Sequence, residues 1–177
     1  MNACSCSWAY DDSFSKTVRH SDFVALVQII SFDAYLERQF DLEEKKIPSA
    51  ITVEIIKKYK GEESRKTIRI YGDNGMLCRP YLSEFQLNGY YLIAPSPLDE
   101  TPDTDYDFFA CLTDYLPVDS NTQKAYGKYS WLRSSISLDA FERKTENGDW
   151  DWLKLVGIIT LILLILIRRR MANKTST

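Results

Sequence analysis

The chain has 177 residues, a hydrophobic share of 45% and a net charge of −3 at pH 7. The charge is unevenly distributed: residues 1–153 carry 17 basic and 25 acidic residues, a net charge of −8, whereas residues 154–177 carry five basic residues and no acidic ones. Because nucleic-acid binding needs a basic face that neutralises phosphates, the acidic part argues against a nucleic-acid partner. It is large enough for one domain with its own core.

Four cysteines are the most informative residues: Cys4 and Cys6 stand at the start of the chain, and Cys78 and Cys111 lie far along it. Two cysteines one residue apart do not easily bond each other, so each is expected to reach a distant strand. Four cysteines permit three pairings, and the sequence alone does not choose among them.

The segment before Cys4 is only Met1-Asn2-Ala3, and no apolar region of a signal peptide precedes it. We expect a leader that this sequence lacks, with Ala3 just before the cleavage site and Cys4 as the mature N-terminus. Two alternatives remain open. One is a tail-anchored protein with a cytosolic domain and reduced thiols, and the other is a lipidated cysteine at position 4.

Five segments have the composition of strands, and two of them, residues 49–60 in their middle part and Thr67–Tyr71, also alternate between apolar and polar residues. The five segments are residues 22–33, 49–60, Thr67–Tyr71, Tyr90–Ala94 and Phe108–Leu116. Turn signals separate them at Gly61, at Gly72–Gly75 and at Asn88-Gly89. The charged residues 34–48 are predicted to form a helix or an ordered loop.

A helix is predicted over about residues 121–133, because Asp119 or Ser120 can cap its N-terminus, and Leu132–Phe141 are expected to extend or follow it. Five mostly antiparallel strands with a flanking helix predict a mainly β fold, a five-stranded barrel of the OB type. A β-sandwich is the alternative, but it normally needs about seven strands.

The run Leu155–Ile167 contains no charged residue, and Arg168–Arg170 follow it directly. It is shorter than the roughly 17–25 residues of a typical membrane span, but Trp150, Trp152 and the arginines suit the two headgroup regions. We therefore predict a transmembrane helix over residues 152–170. A buried core helix is the alternative.

The three arginines are expected on the cytoplasmic side, so the domain is expected outside the cytoplasm, at the cell surface or in a periplasm, where disulfides persist. Residues 136–151 are predicted as a polar linker and residues 171–177 as a cytoplasmic tail. A processed sorting signal is an alternative interpretation of the C-terminal segment.

Several short motifs occur in a fixed order along the chain. They are Cys4-Ser5-Cys6-Ser7, Asp22–Ala25, Ile56–Gly61, Ile68–Tyr71, Cys78, Asn88–Ala94, Phe109–Cys111 and Leu116-Pro117. In this order they resemble the netrin-like module, most closely the N-terminal domain of the tissue inhibitors of metalloproteinases. The resemblance covers Cys4 to about residue 133. It implies an OB-type barrel domain over residues 4–135.

The resemblance also implies the disulfides Cys4–Cys78 and Cys6–Cys111, which would hold the N-terminal segment on the barrel. In the inhibitors, the free α-amino group and the carbonyl of the first cysteine chelate the catalytic zinc of a metalloproteinase. Carried over, Cys4 would be that zinc ligand in trans, provided that it is the mature N-terminus. Ser5, Cys6 and Ser7 would contact the protease beside it.

No catalytic constellation is recognisable in the sequence. His20 is the only histidine, which argues against a histidine-based metal site or a Ser-His-Asp triad within one chain. The run Asp103–Asp107 begins like a calcium loop and Asp114 falls at its twelfth position, but Phe108 stands where such loops need glycine. We favour a solvated acidic loop there and predict no cofactor.

The sequence therefore predicts a membrane-anchored, non-enzymatic protein whose extracytoplasmic domain resembles the metalloproteinase inhibitors and binds a protein partner. That partner is a zinc metalloproteinase if the chelating N-terminus is retained. The alternative is a netrin-like adhesion or assembly module that does not inhibit a protease. The expected partners are a protein and the membrane, and nucleic acid is not among them.

Overall fold

The structure is a computed structural model of the 177-residue chain and describes residues 12–37, 46–73, 78–99, 101, 104–146 and 160. Within these residues the protein is mainly β, as predicted, with nine strands in one sheet. The elements in chain order are α1 (Phe14–His20), β1 (Val24–Glu37), β2 (Lys46–Lys60), β3 (Thr67–Tyr71), a 3₁₀ helix (Leu82–Glu84), β4 (Tyr90–Ile93), β5 (Ser96–Pro97), β6 (Tyr106–Asp107), β7 (Tyr115–Asp119), β8 (Lys124–Ser130), β9 (Arg133–Ser137) and α2 (Leu138–Glu146).

The strands follow the order β5-β6-β3-β2-β1-β4-β7-β8-β9 across the sheet. The long strands β1 and β2 form its antiparallel centre, where Val27 pairs with Ile55. Among the described ladders, the one between β3 and β6 is parallel and pairs Ile70 with Tyr106. The remaining described ladders are antiparallel.

The path of the chain requires this sheet to be rolled. Only Ala94 and Pro95 separate the end of β4 from the start of β5, so Ile93 and Ser96 have Cα atoms at most about 11 Å apart. In the sheet order, β6, β3, β2 and β1 stand between the same two strands, which a flat sheet would separate by about 24 Å. The sheet therefore curls until β5 returns toward β4.

The first hydrophobic cluster fills the face that bears Ala25, Val27 and Ile29 of β1, all fully buried. Residues from β2, β3 and β4 continue it, and Leu82 and Phe85, from the 3₁₀ helix and the residue after it, also belong to it. The spacing of two along β1 is the period of a strand, so this cluster follows directly from the alternation of the sequence.

The second hydrophobic cluster uses the alternate residues of the same strands, such as Val24 of β1 and Leu92 of β4. Phe14 of α1, Tyr129 of β8 and Phe141 of α2 cover it and are almost completely buried. Because neighbouring side chains of a strand point to opposite faces, β1 and β4 contribute to both clusters.

Two of the predicted turns are confirmed. Gly61 ends β2 with a φ of +90°, and a Cβ there would lie 2.5 Å from the carbonyl oxygen of Asp22, so glycine is required. Asn88 takes a φ of +62°, and the Gly89 N–H donates to the Gln86 carbonyl at 2.9 Å just before β4. Of the Gly72–Gly75 turn, the part from residue 74 onward lies outside the described residues.

Four of the five predicted strands are confirmed as β1, β2, β3 and β4, but β1 and β2 extend further than predicted. The prediction of a helix or loop for residues 34–48 was wrong at both ends of that segment. Pairing of β1 with β2 continues there, for example between Tyr35 and Pro48 and between Leu36 and Ile47. Residues 38–45 lie outside the described part of the chain.

The fifth predicted strand, Phe108–Leu116, was wrong over most of its length. Residues 108–114 form a loop, because the Asp114 carboxylate accepts the Phe109 backbone N–H at 2.5 Å and the Leu112 N–H donates to the Phe109 carbonyl at 3.0 Å. These bonds fold the backbone locally instead of leaving it free for a ladder. The strand β7 begins only at Tyr115.

The helix predicted over residues 121–133 was also wrong, because this segment forms the hairpin of β8 and β9. The Asp119 carboxylate accepts the N–H groups of Asn121 at 2.8 Å and of Thr122 at 3.4 Å, as it would at a helix N-terminus. Gln123 then takes a φ of +53°, which turns the chain into β8 instead of starting a helix.

Part of the predicted polar linker, residues 136–151, is folded. Its first residues complete β9 and form α2, and Ile136, Leu138 and Phe141 are buried. Contacts divide the chain into the units Met1–Phe141 and Glu142–Thr177.

Among the described residues, no helix has both the length and the apolar character needed to cross a membrane. The predicted span 152–170 lies outside the described residues except for Thr160, which is helical. The predicted tail, residues 171–177, lies outside them as well.

Candidate functional site

The two described cysteines belong to neighbouring segments of the fold. Cys78 follows β3 in the chain, and Cys111 lies in residues 108–114 between β6 and β7, which we call the cystine loop. The Ala110 N–H donates to the Cys78 carbonyl at 2.9 Å, so the two segments are hydrogen-bonded. Cys78 and Cys111 are both half-cystines, and the described residues include no free cysteine.

The other predicted site residues, Cys4, Ser5, Cys6 and Ser7, lie outside the described residues. The pairing of the four cysteines, the zinc-chelating role of Cys4 and the protease contacts therefore stay predictions.

The cystine loop also holds the first described residue of the N-terminal region. The Thr113 N–H donates to the Asp12 carbonyl at 3.0 Å. The Asp12 carboxylate forms an ion pair with Lys128 of β8, and α1 follows it immediately, beginning at Phe14. Asp12 is thus bonded two residues away from Cys111.

An ion pair joins the residue after Cys78 to the end of β6, where the cystine loop begins. Arg79, next to Cys78, donates through Nε at 2.9 Å and Nη2 at 2.6 Å to Asp107 Oδ2, at the end of β6. Both side chains are mostly buried, with exposed fractions of 17% and 23%. Charge-assisted bonds of this geometry are among the stronger polar contacts in proteins.

Aromatic stacking fixes both ends of the cystine loop. Phe108, at its start, stacks on Phe85 with ring centroids 5.6 Å apart and planes within 3°. Tyr115 follows the last residue of the loop. Its ring centroid lies 4.5 Å from that of Phe85 and 5.3 Å from that of Phe108. Such contacts contribute about 0.5–1.5 kcal/mol per pair beyond burial of area. The loop therefore stands on a rigid base.

Asp114, the last residue of the loop, is buried with an incomplete set of partners. Its Oδ2 accepts the Phe109 N–H, whereas its Oδ1 has no hydrogen-bond partner. Burial raises the pKa of Asp114 to about 7, the bond from Phe109 opposes this, and the nearby charge of Asp107 adds to it. This carboxyl group therefore titrates close to neutral pH.

A pocket of about 350 Å³ opens beside the cystine loop. Phe109, Leu112 and Tyr126 line it, and each is more than 40% exposed to solvent. Its charged lining residues are Asp114 and Lys128. A concave surface with apolar walls and a few polar groups is typical of a site that receives a side chain or a small ligand.

A second group of polar residues lies away from this loop, and we call Glu63, Arg65 and Tyr106 the clamp. Arg65 donates through Nε at 2.9 Å and Nη2 at 2.7 Å to the Glu63 carboxylate, and the Tyr106 hydroxyl donates to the same carboxylate at 2.9 Å. Arg65 Nη2 also donates to the Thr104 carbonyl at 2.6 Å. The clamp therefore joins the loop after β2 to β6.

The charges of the clamp are well matched. Bonding to Arg65 lowers the pKa of Glu63 from 4.5 to about 2, although burial acts in the opposite direction. Burial and the bond to Glu63 raise the pKa of Tyr106 to about 12. All three groups stay in one protonation state at neutral pH, so the clamp is suited to holding structure and not to moving protons.

Metal-binding chemistry finds no support in the described part of the chain, which contains no cluster of histidine, cysteine and carboxylate groups able to hold an ion. His20 is exposed at the end of α1. Of the suggested calcium loop, Asp103 lies outside the described residues, Asp107 binds Arg79, and Asp114 binds the Phe109 N–H. These carboxylates point to separate partners.

A comparison with protein-family models found no match to the chain, and a search of curated proteins found none either.

Neither the clamp nor the pocket was predicted from the sequence. Glu63 and Arg65 stand two residues apart in a polar loop and look like ordinary solvated charges. Their partner Tyr106 is 43 positions away from Glu63. In the sequence, Tyr106 stands between Asp105 and Asp107. This position does not indicate that Tyr106 bonds Glu63.

Proposed function

We propose that the protein is a membrane-anchored, extracytoplasmic netrin-like domain that binds a protein partner through an N-terminal segment fixed on the cystine loop. We further propose that the partner is a zinc metalloproteinase. One observation carries the proposal: Cys78 and Cys111 are both half-cystines, and the loop that holds Cys111 also binds Asp12 of the N-terminal region.

The distance along the chain supports the proposed disulfides. Asp12 comes six residues after Cys6 and eight after Cys4. An extended chain covers about 3.3–3.6 Å per residue, so six residues reach at most about 20 Å. Since Thr113 holds Asp12 two residues from Cys111, a Cys6–Cys111 disulfide needs no long path. The bond between Ala110 and Cys78 keeps the second proposed acceptor within the same reach.

An OB-type barrel is the form that we propose for the rolled sheet. Three features support it: β1, β2 and β3 are consecutive antiparallel neighbours, β4 pairs with the other side of β1, and β3 pairs in parallel with β6. Together with the short connection between β4 and β5, this order favours a partly open barrel over two stacked sheets.

Zinc chelation by the N-terminal cysteine is chemically reasonable. An α-amino group has a pKa of about 8, so little free energy is needed to deprotonate it beside a metal ion. Disulfides would hold the Cys4 amine and carbonyl in place, and the ordering entropy lost on binding would be small. Ser5, Cys6 and Ser7 would then contact the protease cleft. The zinc belongs to the protease and not to this chain.

The location follows from the half-cystines and the C-terminal charges. Structural disulfides persist outside the reducing cytosol, and the run Arg168–Arg170 after the apolar segment favours a cytoplasmic C-terminus. Both arguments support the proposed location of the domain outside the cytoplasm.

The decisive experiment compares two full-length proteins in detergent, one beginning at Cys4 and one that keeps Ala3. We expect the first to inhibit a zinc metalloproteinase and the second to lose inhibition, because an internal amide cannot ligate zinc as an amine does. Equal inhibition by both proteins, or none by either, would remove the chelation proposal.

The disulfide pairing needs a separate measurement. Proteolysis under non-reducing conditions followed by mass spectrometry should find peptides that link Cys4 to Cys78 and Cys6 to Cys111. A peptide linking Cys78 directly to Cys111 would contradict the proposed attachment of the N-terminal segment.

A second candidate is an adhesion or assembly module that does not inhibit a protease. The apolar lining of the pocket, with Phe109 and Leu112 exposed, favours it. Chemical acetylation of the N-terminal amine distinguishes the two functions. Acetylation would abolish zinc chelation, but it would leave binding through the pocket unchanged.

A further inference from the structure

The hairpin of β8 and β9 ends in two large apolar side chains that face solvent. Ser130 pairs with Arg133, which leaves Trp131 and Leu132 as the turn, and we call these two residues the hairpin tip. Trp131 is 84% exposed and Leu132 is 83% exposed. Among the described residues, the next most exposed large apolar side chain is Leu87 at 54%.

Folding does not explain the identity of the tip residues. Neither Trp131 nor Leu132 takes a positive φ, so this turn does not require special backbone angles and accepts most residue types. Both side chains are mostly exposed, so packing against the core does not require them either. Adjacent exposed apolar side chains of this size are typical of an interaction site.

The base of the hairpin is rigid. Tyr129 and Ile136 belong to the second hydrophobic cluster and are 2% and 7% exposed, and Ile136 pairs with Ala125 across the ladder. The Tyr129 ring meets Phe141 edge-on at 6.5 Å. The tip therefore projects from an ordered support.

The charge around the tip differs from that of the rest of the domain. Residues 124–137 contain Lys124, Lys128 and Arg133 and no acidic residue, although residues 1–153 as a whole have a net charge of −8. Lys128 pairs with Asp12, whereas Lys124 and Arg133 are exposed. The hairpin is thus a basic strip on an acidic domain.

We propose that the hairpin tip inserts into the headgroup region of a lipid bilayer, with Lys124 and Arg133 contacting lipid phosphates. This inference rests on the proposed membrane anchor, which would keep the domain close to lipid. Tryptophan prefers the membrane interface, and lysine and arginine side chains there can form charge-assisted hydrogen bonds with the phosphates of lipid headgroups.

The shape of the tip favours lipid over a protein partner. A stable protein interface uses about 20–30 residues on each side, whereas the tip offers two apolar residues on a convex, otherwise polar hairpin. A bilayer accommodates a small apolar projection surrounded by basic and hydroxyl side chains without needing a matching cavity.

The test uses the full-length protein in vesicles of phosphatidylcholine and phosphatidylglycerol whose acyl chains carry bromine, a quencher of tryptophan fluorescence. The chain has four tryptophans, so the difference between the wild type and Trp131→Phe isolates the signal of Trp131. We expect this difference signal to lose intensity in brominated vesicles and to shift to shorter wavelength. Lys124→Gln combined with Arg133→Gln should weaken both changes.

A matched control places a tryptophan at another exposed position. Leu87→Trp in the Trp131→Phe background reports how much quenching the anchor alone produces, and we expect much less from it. Equal quenching at positions 87 and 131, or none at 131, would overturn the proposal. Shielding of Trp131 that depends on protein concentration and not on lipid would also overturn it, in favour of a second copy of the chain.

The same experiment shows whether the proposal for the hairpin tip or the proposal for the membrane anchor is wrong. The signal that remains in Trp131→Phe comes from Trp8, Trp150 and Trp152, and the last two border the predicted span. If that signal is quenched and Trp131 is not, the tip proposal is wrong and the anchor stands. If no tryptophan is quenched, both proposals are wrong.

Discussion

The clamp and the cystine loop each contain a buried carboxylate, but the pKa of that carboxylate is shifted in opposite directions at the two sites. Glu63 accepts hydrogen bonds from Arg65 and Tyr106, and its pKa falls to about 2. Asp114 accepts one backbone N–H, leaves Oδ1 without a partner, and its pKa rises to about 7. Burial is common to both sites. The number and charge of the partners therefore decide the direction of the shift.

The two sites also give opposite dependences of stability on pH. Glu63 has a folded-state pKa below its ordinary 4.5, so it stabilises the fold above that pH and loses this contribution as the pH falls toward 2. Asp114 has a folded-state pKa above its ordinary 3.8, so its contribution is lost as the pH rises from about 4 to about 7.

The largest effect is expected from Arg65→Met, which leaves the Glu63 carboxylate buried without its cation. We expect the free energy of unfolding at pH 7 to fall by about 2–3 kcal/mol, toward the lower end of the range for broken buried pairs because Arg65 is partly exposed. Chemical denaturation at pH 7 and at pH 3 measures it, and the loss should be smaller at pH 3. The exposed pair Lys66–Glu54 supplies the control, since Lys66→Met should leave the free energy of unfolding nearly unchanged.

The next effect is expected from Asp114→Asn, which keeps the size of the side chain and the acceptor for the Phe109 N–H. Because each pKa unit corresponds to about 1.4 kcal/mol, the stability of this variant relative to the wild type should rise by about 4 kcal/mol from pH 4 to pH 8. The buried amide N–H groups of asparagine cost about 2 kcal/mol at every pH, so we expect a loss of about 2 kcal/mol at pH 4 and a gain of about 2 kcal/mol at pH 8. Denaturation measured across this range should show a flatter pH profile than the wild type. Asp139→Asn, at an exposed position of α2, is the matched control. A gain of equal size at pH 4 would contradict a titration origin.

The sequence predicted the centre of the sheet and failed at its C-terminal part. The strands β1 to β4 are runs rich in apolar, β-branched and aromatic residues that end at turn signals, and this pattern is sufficient to identify them. Asp119 misled the prediction, because the bonds that it makes to Asn121 and Thr122 serve a turn as well as a helix cap. Only the long-range pairing of β8 with β7 and β9 separates the two outcomes.

The candidate site was predictable in part. The positions of Cys78 and Cys111 indicated structural cysteines, and both are half-cystines. The burial of Asp114 was not predictable, because Asp114 stands in a run that reads as a strand, where its side chain would face solvent. The clamp depends on a contact between distant residues, which local patterns do not specify.

A smaller effect is expected from Tyr106→Phe, which removes one hydrogen bond to Glu63 and leaves the Arg65 bonds in place. We expect a loss of about 1.5 kcal/mol at pH 7, the lower end of the range for a bond to a charged group, because Arg65 still bonds Glu63. The pKa of Glu63 should rise, and NMR titration of its carboxyl carbon measures this directly. Tyr126→Phe, on the exposed side of β8, should leave both quantities unchanged.

The smallest effect is expected from Arg79→Gln, which breaks a partly exposed ion pair beside the cystine loop. We expect a loss of about 1 kcal/mol at pH 7. The unpaired Asp107 would then repel the Asp114 carboxylate more strongly, so the pKa of Asp114 should rise further. An NMR titration that finds a lower pKa for Asp114 in this variant would show that Asp107 does not act on it.

The alternation of β1 and β4 between two clusters has a consequence for how the domain melts. Val24 and Ala25 are neighbours in sequence, yet they belong to different hydrophobic clusters. Because both clusters share β1 and β4, neither cluster can unfold while the other stays folded. Heating residues 12–141 should therefore produce a single calorimetric peak with matching calorimetric and van't Hoff enthalpies.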